Sequence, residues 1–201
     1  DEIYAGYGRI FGMALDIENQ ERKTKVGHNI DNFETPQNKL ILENRVQKLL
    51  NLYRYVDLKE LQAIFVDPDL VRAYGQEIST LTFDLMKESG RTSYFEQVRY
   101  FFVNFHLQGL LQRVDNCSMA TSLEARVPFL SKKNMEFVWN ISPDIIYHTE
   151  EIGNYSQQQF SEIRNIPKYI LKKSLENILD SKILYRKKEG FPVPLFKILE
   201  P

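Results

Sequence analysis

The sequence predicts a mostly α-helical fold. Three observations carry this expectation. Apolar side chains recur three and four residues apart over most of the chain, several of these stretches open on a capping residue, and strictly alternating runs are scarce. The 201 residues are 43% hydrophobic and 26% charged, a globular composition. A chain of this length buries on the order of 70% of its unfolded surface, so it needs neither disulfides nor metal to hold it.

The elements follow in order. Residues 19–35 are polar, rich in Asn, Lys and Glu, and read as a long loop. Thr35 then supplies a capping hydroxyl and Pro36 a preset first turn, followed by Leu42, Val46, Leu49 and Tyr53 on one face. Asp57 and Glu60 have capping-box spacing and open a short helix through Leu58, Leu61 and Phe65. Asp67-Pro68 starts another, with Leu70, Val71 and Tyr74 on its apolar face. Ser93 and Glu96 form the clearest capping box, leading into Phe95, Val98, Phe101, Phe102 and Phe105. A helix aromatic over so much of its circumference belongs at the centre of a core. Residues 114–141 continue as short helices around Val127-Pro128-Phe129, where proline breaks regular structure. Residues 145–162 are polar and weakly periodic, hence a loop, and Pro167 to Leu179 reads as a helix with Ile170, Leu171, Leu175, Ile178 and Leu179 apolar.

Charge and cysteine usage exclude several function classes. The net charge of −1 rules out a strongly basic nucleic-acid module but leaves room for a local anion site. One cysteine excludes a disulfide framework and a cysteine-rich zinc site. No apolar run approaches the roughly 18 residues of a membrane span, and no signal-peptide pattern is present. The expectation is a soluble cytoplasmic protein with neither nucleic acid nor membrane as partner. The chain opens on Asp1-Glu2 and stops at Glu200-Pro201 directly after an apolar segment. Both ends read as cuts through folded material, so a fragment is expected.

His28, His106 and His148 are far apart and offer no metal spacing; His106, inside the aromatic helix, reads as a hydrogen-bonded core histidine. Cys117 reads as a packed thiol. No glycine-rich phosphate loop occurs. Three segments remain. Asp1-Glu2-Ile3-Tyr4-Ala5-Gly6-Tyr7-Gly8 has adjacent acids that could hold a hard cation, but on their own they read better as the start of a helix. Residues 113–130 set charges among apolar side chains, which points to structural pairing of Glu124 and Arg126 inside the fold. The basic turn Arg186-Lys187-Lys188-Glu189-Gly190-Phe191-Pro192 can satisfy helix carbonyls or hold a lysine against a phosphate or a growing oxyanion.

Taken together, Asp-Glu-Ile-Tyr-Ala-Gly-Tyr at 1–7, Ser-Met-Ala-Thr-Ser-Leu-Glu-Ala-Arg-Val-Pro-Phe-Leu at 118–130 and Arg-Lys-Lys-Glu-Gly-Phe-Pro-Val-Pro at 186–194 resemble the synthetase domain of glutamine-hydrolysing asparagine synthetases. The resemblance covers essentially the whole chain. It implies that residues 1–201 are a single partial domain, the helical latter half of an α/β domain of the adenine-nucleotide hydrolase (ATP-pyrophosphatase) type. The pyrophosphatase loop and the glutaminase domain are absent from it. The implied reaction is ATP-dependent amidation of aspartate through an acyl-adenylate, with ammonia released from glutamine elsewhere in the parent. ATP and magnesium are implied as cosubstrate and cofactor, a homodimer of the parent is compatible, and the fragment alone is expected to be inactive. By position, Lys188 matches the lysine that stabilises charge on the reacting centre. Asp1, with Glu2 as a weaker companion, matches the magnesium–pyrophosphate site, with Asp1 as the metal ligand. Tyr7 matches a tyrosine lining the active site, and Arg113 falls in the segment lining the amino-acid pocket. Many relatives carry an acid about where Gly109 sits. Its loss leaves room for an amidotransferase acting on a carboxylate other than aspartate. The alternative from another class is a non-catalytic helical binding module, against which Asp1 and Lys188 count.

Overall fold

Five α-helices of the described residues begin where a side-chain oxygen meets the free N–H groups of a first turn. The computed structural model describes residues 2–24, 33–54, 56–149 and 165–186. Helix α1 (Gly8–Lys23) ends with Arg22 and Lys23 beside its free carbonyls, the favourable sign for that end. Helix α2 (Pro36–Tyr53) starts at Thr35, whose Oγ1 accepts from the Asn38 N–H at 3.3 Å. Helix α3 (Leu58–Ile64) carries the full Asp57–Glu60 capping box. Helix α4 (Pro68–Glu88) is capped by the Asp67 carboxylate, which accepts from the Asp69 and Leu70 N–H groups. At α5 (Tyr94–Phe101), Ser93 accepts from the Glu96 N–H, while the Glu96 carboxylate lies 3.6 Å from Arg91; half of the expected box is made.

The aromatic run then changes winding. Residues Phe102–His106 form a π-helical turn, in which the Leu107 N–H reaches back to the Phe102 carbonyl, before α6 (Leu107–Met119) resumes. A 3₁₀ turn at Pro128–Leu130 precedes α7 (Lys132–Trp139) and α8 (Pro143–Ile146). Strand β1 (His148–Thr149) pairs antiparallel with β2 (Asn165–Ile166), His148 opposite Ile166. Helices α9 (Tyr169–Leu175) and α10 (Ser181–Leu184) complete the described residues. Among these residues no helix is long and apolar enough to cross a membrane.

The core lies where α1, α2, α4 and α5 meet. Phe11 packs its ring against Phe95 at 5.1 Å and Phe102 at 5.6 Å, and Leu42, Leu49, Met86, Val138 and Tyr147 close around them. Four charged side chains, Glu2, Glu18, Arg45 and Arg99, are buried as well. Arg45 on α2 binds Glu21 of α1, the Thr92 carbonyl at 2.9 Å and the Gln97 side-chain oxygen of α5 at 2.8 Å. Glu18 accepts from the Ser93 hydroxyl at 2.8 Å and the Phe95 N–H at 3.3 Å, placing a carboxylate on the N-terminus of α5. Arg99 stacks over the Trp139 ring at 4.7 Å and donates to the Trp139 carbonyl at 3.0 Å, and burial brings its pKa down to about 10.

Several expectations are corrected here. Leu70 and Tyr74 are exposed, because α4 turns Gly75, Thr82 and Met86 to the core instead, and Phe65 is exposed as well. Cys117 is exposed on α6. Glu124 and Arg126 do pair, at 2.5 Å, but with side chains 68% and 83% exposed they form a surface pair, not a buried one. The start of the expected 145–162 loop is a short helix end and a strand; residues 150–164 lie outside the described residues. The helix expected over 167–179 stops at Leu175, and Ile178 is exposed. Likewise α1 extends to Lys23 into the expected 19–35 loop, of which residues 25–32 lie outside the described residues.

Candidate active site

The opening segment folds as a turn that a left-handed residue makes possible. Ala5 has φ of +51° and no exposed surface. A methyl-bearing residue there costs on the order of 1 kcal/mol, so the surrounding packing holds the turn in place. The turn brings Glu2, itself buried, back to Tyr7 at the start of α1. The Tyr7 hydroxyl donates to Glu2 Oε1 at 2.8 Å and lies 3.1 Å from His106 Nε2. On the far side of the ring, His106 Nδ1 lies 2.7 Å from the Tyr53 hydroxyl at the end of α2.

Proton counting orients this chain. Tyr7 has one hydroxyl proton, and an ionised Glu2 can only accept. With that proton given to Glu2, His106 must donate from Nε2 to the Tyr7 oxygen. In the neutral ring, the form its lowered pKa favours, Nδ1 then accepts from the Tyr53 hydroxyl, and the bonds run from Tyr53 to His106 to Tyr7 to Glu2. Burial holds His106 below the ordinary histidine value; Glu2 pulls the other way, and Arg113 adds to the lowering. The π turn sets the ring: His106 is its last residue and packs against Phe102 at 5.2 Å.

Glu2 also borders a second space. A cavity of about 180 Å³ lies between Glu2, Tyr4, Val127, Phe129, Leu130 and Lys168. Here the opening segment meets the end of the 118–130 block: the Tyr4 and Phe129 rings stand edge to face at 6.1 Å, and the Tyr4 hydroxyl donates to Asn134 Oδ1 at 2.8 Å. Lys168, itself left-handed at φ +57°, is held below the usual lysine value by burial, with Glu2 acting in the opposite sense. Glu2 therefore stands between a histidine relay and a lysine.

The predicted residues are distributed unevenly over this geometry. Glu2 and Tyr7 are joined by a hydrogen bond. Arg113 is exposed on α6 and bears on His106 only through its charge. Asp1 and Lys188 lie outside the described residues. The reading of His106 as a hydrogen-bonded histidine agrees with its two hydroxyl partners. Tyr53 and Lys168 were missed. Tyr53 looked like one more apolar position of α2, and nothing in the sequence around Lys168 marks a lysine turned inward. A Cβ built at Gly109 meets nothing within 4 Å, so packing does not require glycine there.

Among the described residues no three His, Cys, Asp or Glu side chains gather to hold an ion. Glu2 is a single buried carboxylate engaged by Tyr7. These residues by themselves do not fit a magnesium site, and no step is assigned to the metal.

Comparison with known proteins adds the remaining evidence. Residues 1–200 match the family model described as asparagine synthase. The chain is 33% identical over 152 residues to asparagine synthetase (glutamine-hydrolysing) 3 of Bacillus subtilis, covering 76% of the chain and 20% of that protein. It is 28% identical over 204 residues to asparagine synthetase (glutamine-hydrolysing) 1 of the same organism, covering 97% of the chain and 29% of that protein. The chain thus spans less than a third of the length of these relatives. No solved structure matches. A match over 200 consecutive residues, which includes all three motifs and the turn that joins Glu2 to Tyr7, has one reading: this chain belongs to the asparagine synthase family.

Proposed function

We propose that the protein carrying this chain is an ATP-dependent ligase that converts aspartate to asparagine, with ammonia drawn from glutamine. The family match over residues 1–200 is the observation that carries this reading. In the proposed sequence a substrate carboxylate oxygen attacks the α-phosphorus of ATP and pyrophosphate leaves. Ammonia then attacks the acyl carbon, and AMP departs with its former acyl oxygen. Residues 1–201 would be the helical latter half of an α/β synthetase domain of the adenine-nucleotide hydrolase type.

The chain's own residues have these roles in the proposal. Asp1 and Glu2 face the triphosphate, Tyr7 and Arg113 line the acceptor pocket, and Lys188 steadies negative charge as it grows on the reacting centre. The Glu2–Tyr7 bond supports the reading, because a carboxylate fixed by a hydroxyl in a buried turn is already oriented before substrate arrives. A related reading is an amidotransferase for another carboxylate: Gly109, exposed on α6, offers no side chain to pair with a substrate amino group.

ATP–pyrophosphate exchange by the intact protein, measured across a panel of carboxylates, tests both. Exchange that depends on aspartate supports asparagine synthesis, exchange with another acid supports the related reading, and no exchange with any acid removes both. Lys188→Ala should lower kcat by about 100-fold or more with little change in stability, while Lys187→Ala keeps most activity. The reverse pattern would mean that the match at the basic turn is off by one residue.

A further inference from the structure

A cleft of about 580 Å³ opens on the face of Tyr7 and His106 that is turned away from Glu2's small cavity, between α1, the end of α2, α4 and the π turn. Its size falls in the range of small-molecule sites. Its wall is aromatic and apolar, with Tyr53, Phe102 and Phe105 on one side and Ile78 of α4 at the other. Among the described residues its charged lining is of one sign, the two guanidiniums of Arg9 and Arg54. Arg9 is exposed at the rim. Arg54 caps α2 with its backbone N–H on the Leu50 carbonyl, yet its Nη2 is buried and has no hydrogen-bond partner among the described residues.

A guanidinium N–H shut away from water without an acceptor is unfavourable, and an anion that drew the Arg54 fork round into the cleft would satisfy it. A planar fork beside an aromatic wall is suited to a carboxylate joined to an apolar body, because the fork takes two oxygens and the rings take the hydrocarbon. Inorganic anions would engage the arginines but leave the wall wet. Neutral aromatics would fill the wall but leave Arg54 unpaired.

We propose that this cleft binds a small organic carboxylate with an apolar, ring-sized body, its carboxylate between Arg9 and Arg54 and its body against Tyr53, Phe102 and Phe105. The cleft is separate from the Glu2 cavity but shares Tyr7 with the proposed acceptor pocket, and its binding needs neither ATP nor Lys188.

The test is calorimetric titration of the intact protein with 3-phenylpropionate, 3-phenylpropionamide and acetate. Phenylpropionate should bind with a dissociation constant below about 1 mM, and the amide and acetate each at least about tenfold more weakly. Arg54→Gln should weaken phenylpropionate at least tenfold and leave the amide unchanged. Arg9→Gln, at an exposed position that does not disturb the fold, should weaken it in the same sense. Ile78→Trp, 41% exposed in the native protein, should block both aromatic probes by filling the cleft. Equal affinity for carboxylate and amide, undiminished binding in Ile78→Trp, or no binding of phenylpropionate up to about 10 mM would overturn the proposal. Loss of ATP–pyrophosphate exchange with binding intact would sink the amidation reading alone.

Discussion

His106 is the residue on which the site's chemistry turns, and its protonation has a readable consequence. Its folded pKa lies below the ordinary 6.5 because burial disfavours the cation. The unfolded chain therefore binds a proton that the folded one does not in the window just under 6.5, and stability falls as pH drops through that window. Thermal unfolding from pH 7.5 to 5 should show this slope in the native chain and a shallower one in His106→Gln. Equal slopes would mean that His106 titrates alike in both states. Glu124 makes the opposite point. Among apolar neighbours in the sequence it reads as one half of a buried pair, yet it sits on the surface beside Arg126. Glu124→Ala should cost no more than about 1 kcal/mol by urea unfolding, the range of exposed ion pairs. A loss of about 3 kcal/mol or more would return it to the buried class.

Helix starts were legible because their cause is local. Thr35, Asp57, Asp67 and Ser93 each bond to an N–H within three residues, so sequence alone contains both partners. What each helix faces depends on distant elements, and that is where reading failed. Leu70 and Tyr74 lie on a helical stripe, but no described element covers it. Glu18 fails in the other direction: a carboxylate in α1 gave no sign of capping a helix 75 residues later. Glu18→Ala should destabilise the protein by about 2–3 kcal/mol, because it strips a charged acceptor from the Ser93 hydroxyl and the Phe95 N–H in the core. Glu18→Gln, which keeps an acceptor, should cost less than half as much in the same denaturation series. Equal losses would show that packing, not the cap, is what Glu18 supplies.

At the scale of the molecule, Arg45 ties three segments together. Its guanidinium holds Glu21 of α1, the Thr92 carbonyl and Gln97 of α5, and its backbone carbonyl accepts from the Tyr94 hydroxyl at 2.8 Å. Burial pushes the Tyr94 hydroxyl far above the usual phenol range, so this bond stays formed at any ordinary pH. Arg45→Ala should cost about 3–5 kcal/mol, since it leaves Glu21 and Gln97 facing a void. A Tm within a degree or two of native would contradict this role. The motifs announced a family, and membership followed. They did not announce that Phe129 would close on Tyr4, that His106 would meet Tyr7, or that Tyr53 would meet His106. Those contacts join positions 53 to 125 residues apart, and a spacing rule has no reach over such distances.

The π turn at Phe102–His106 has a consequence for how this protein can change by descent. It holds one residue more than the α-helical winding it interrupts, and each residue is worth about 100° of rotation. Loss of a single codon within it would let the helix close its ordinary ladder while α6 keeps its facing, because the wider turn is what absorbs the extra residue. The hydrophobic segment before it, Tyr94–Phe101, would keep its seat in the core. A frame-preserving deletion here is thus a one-step route to a continuous helix in place of the turn that now seats His106.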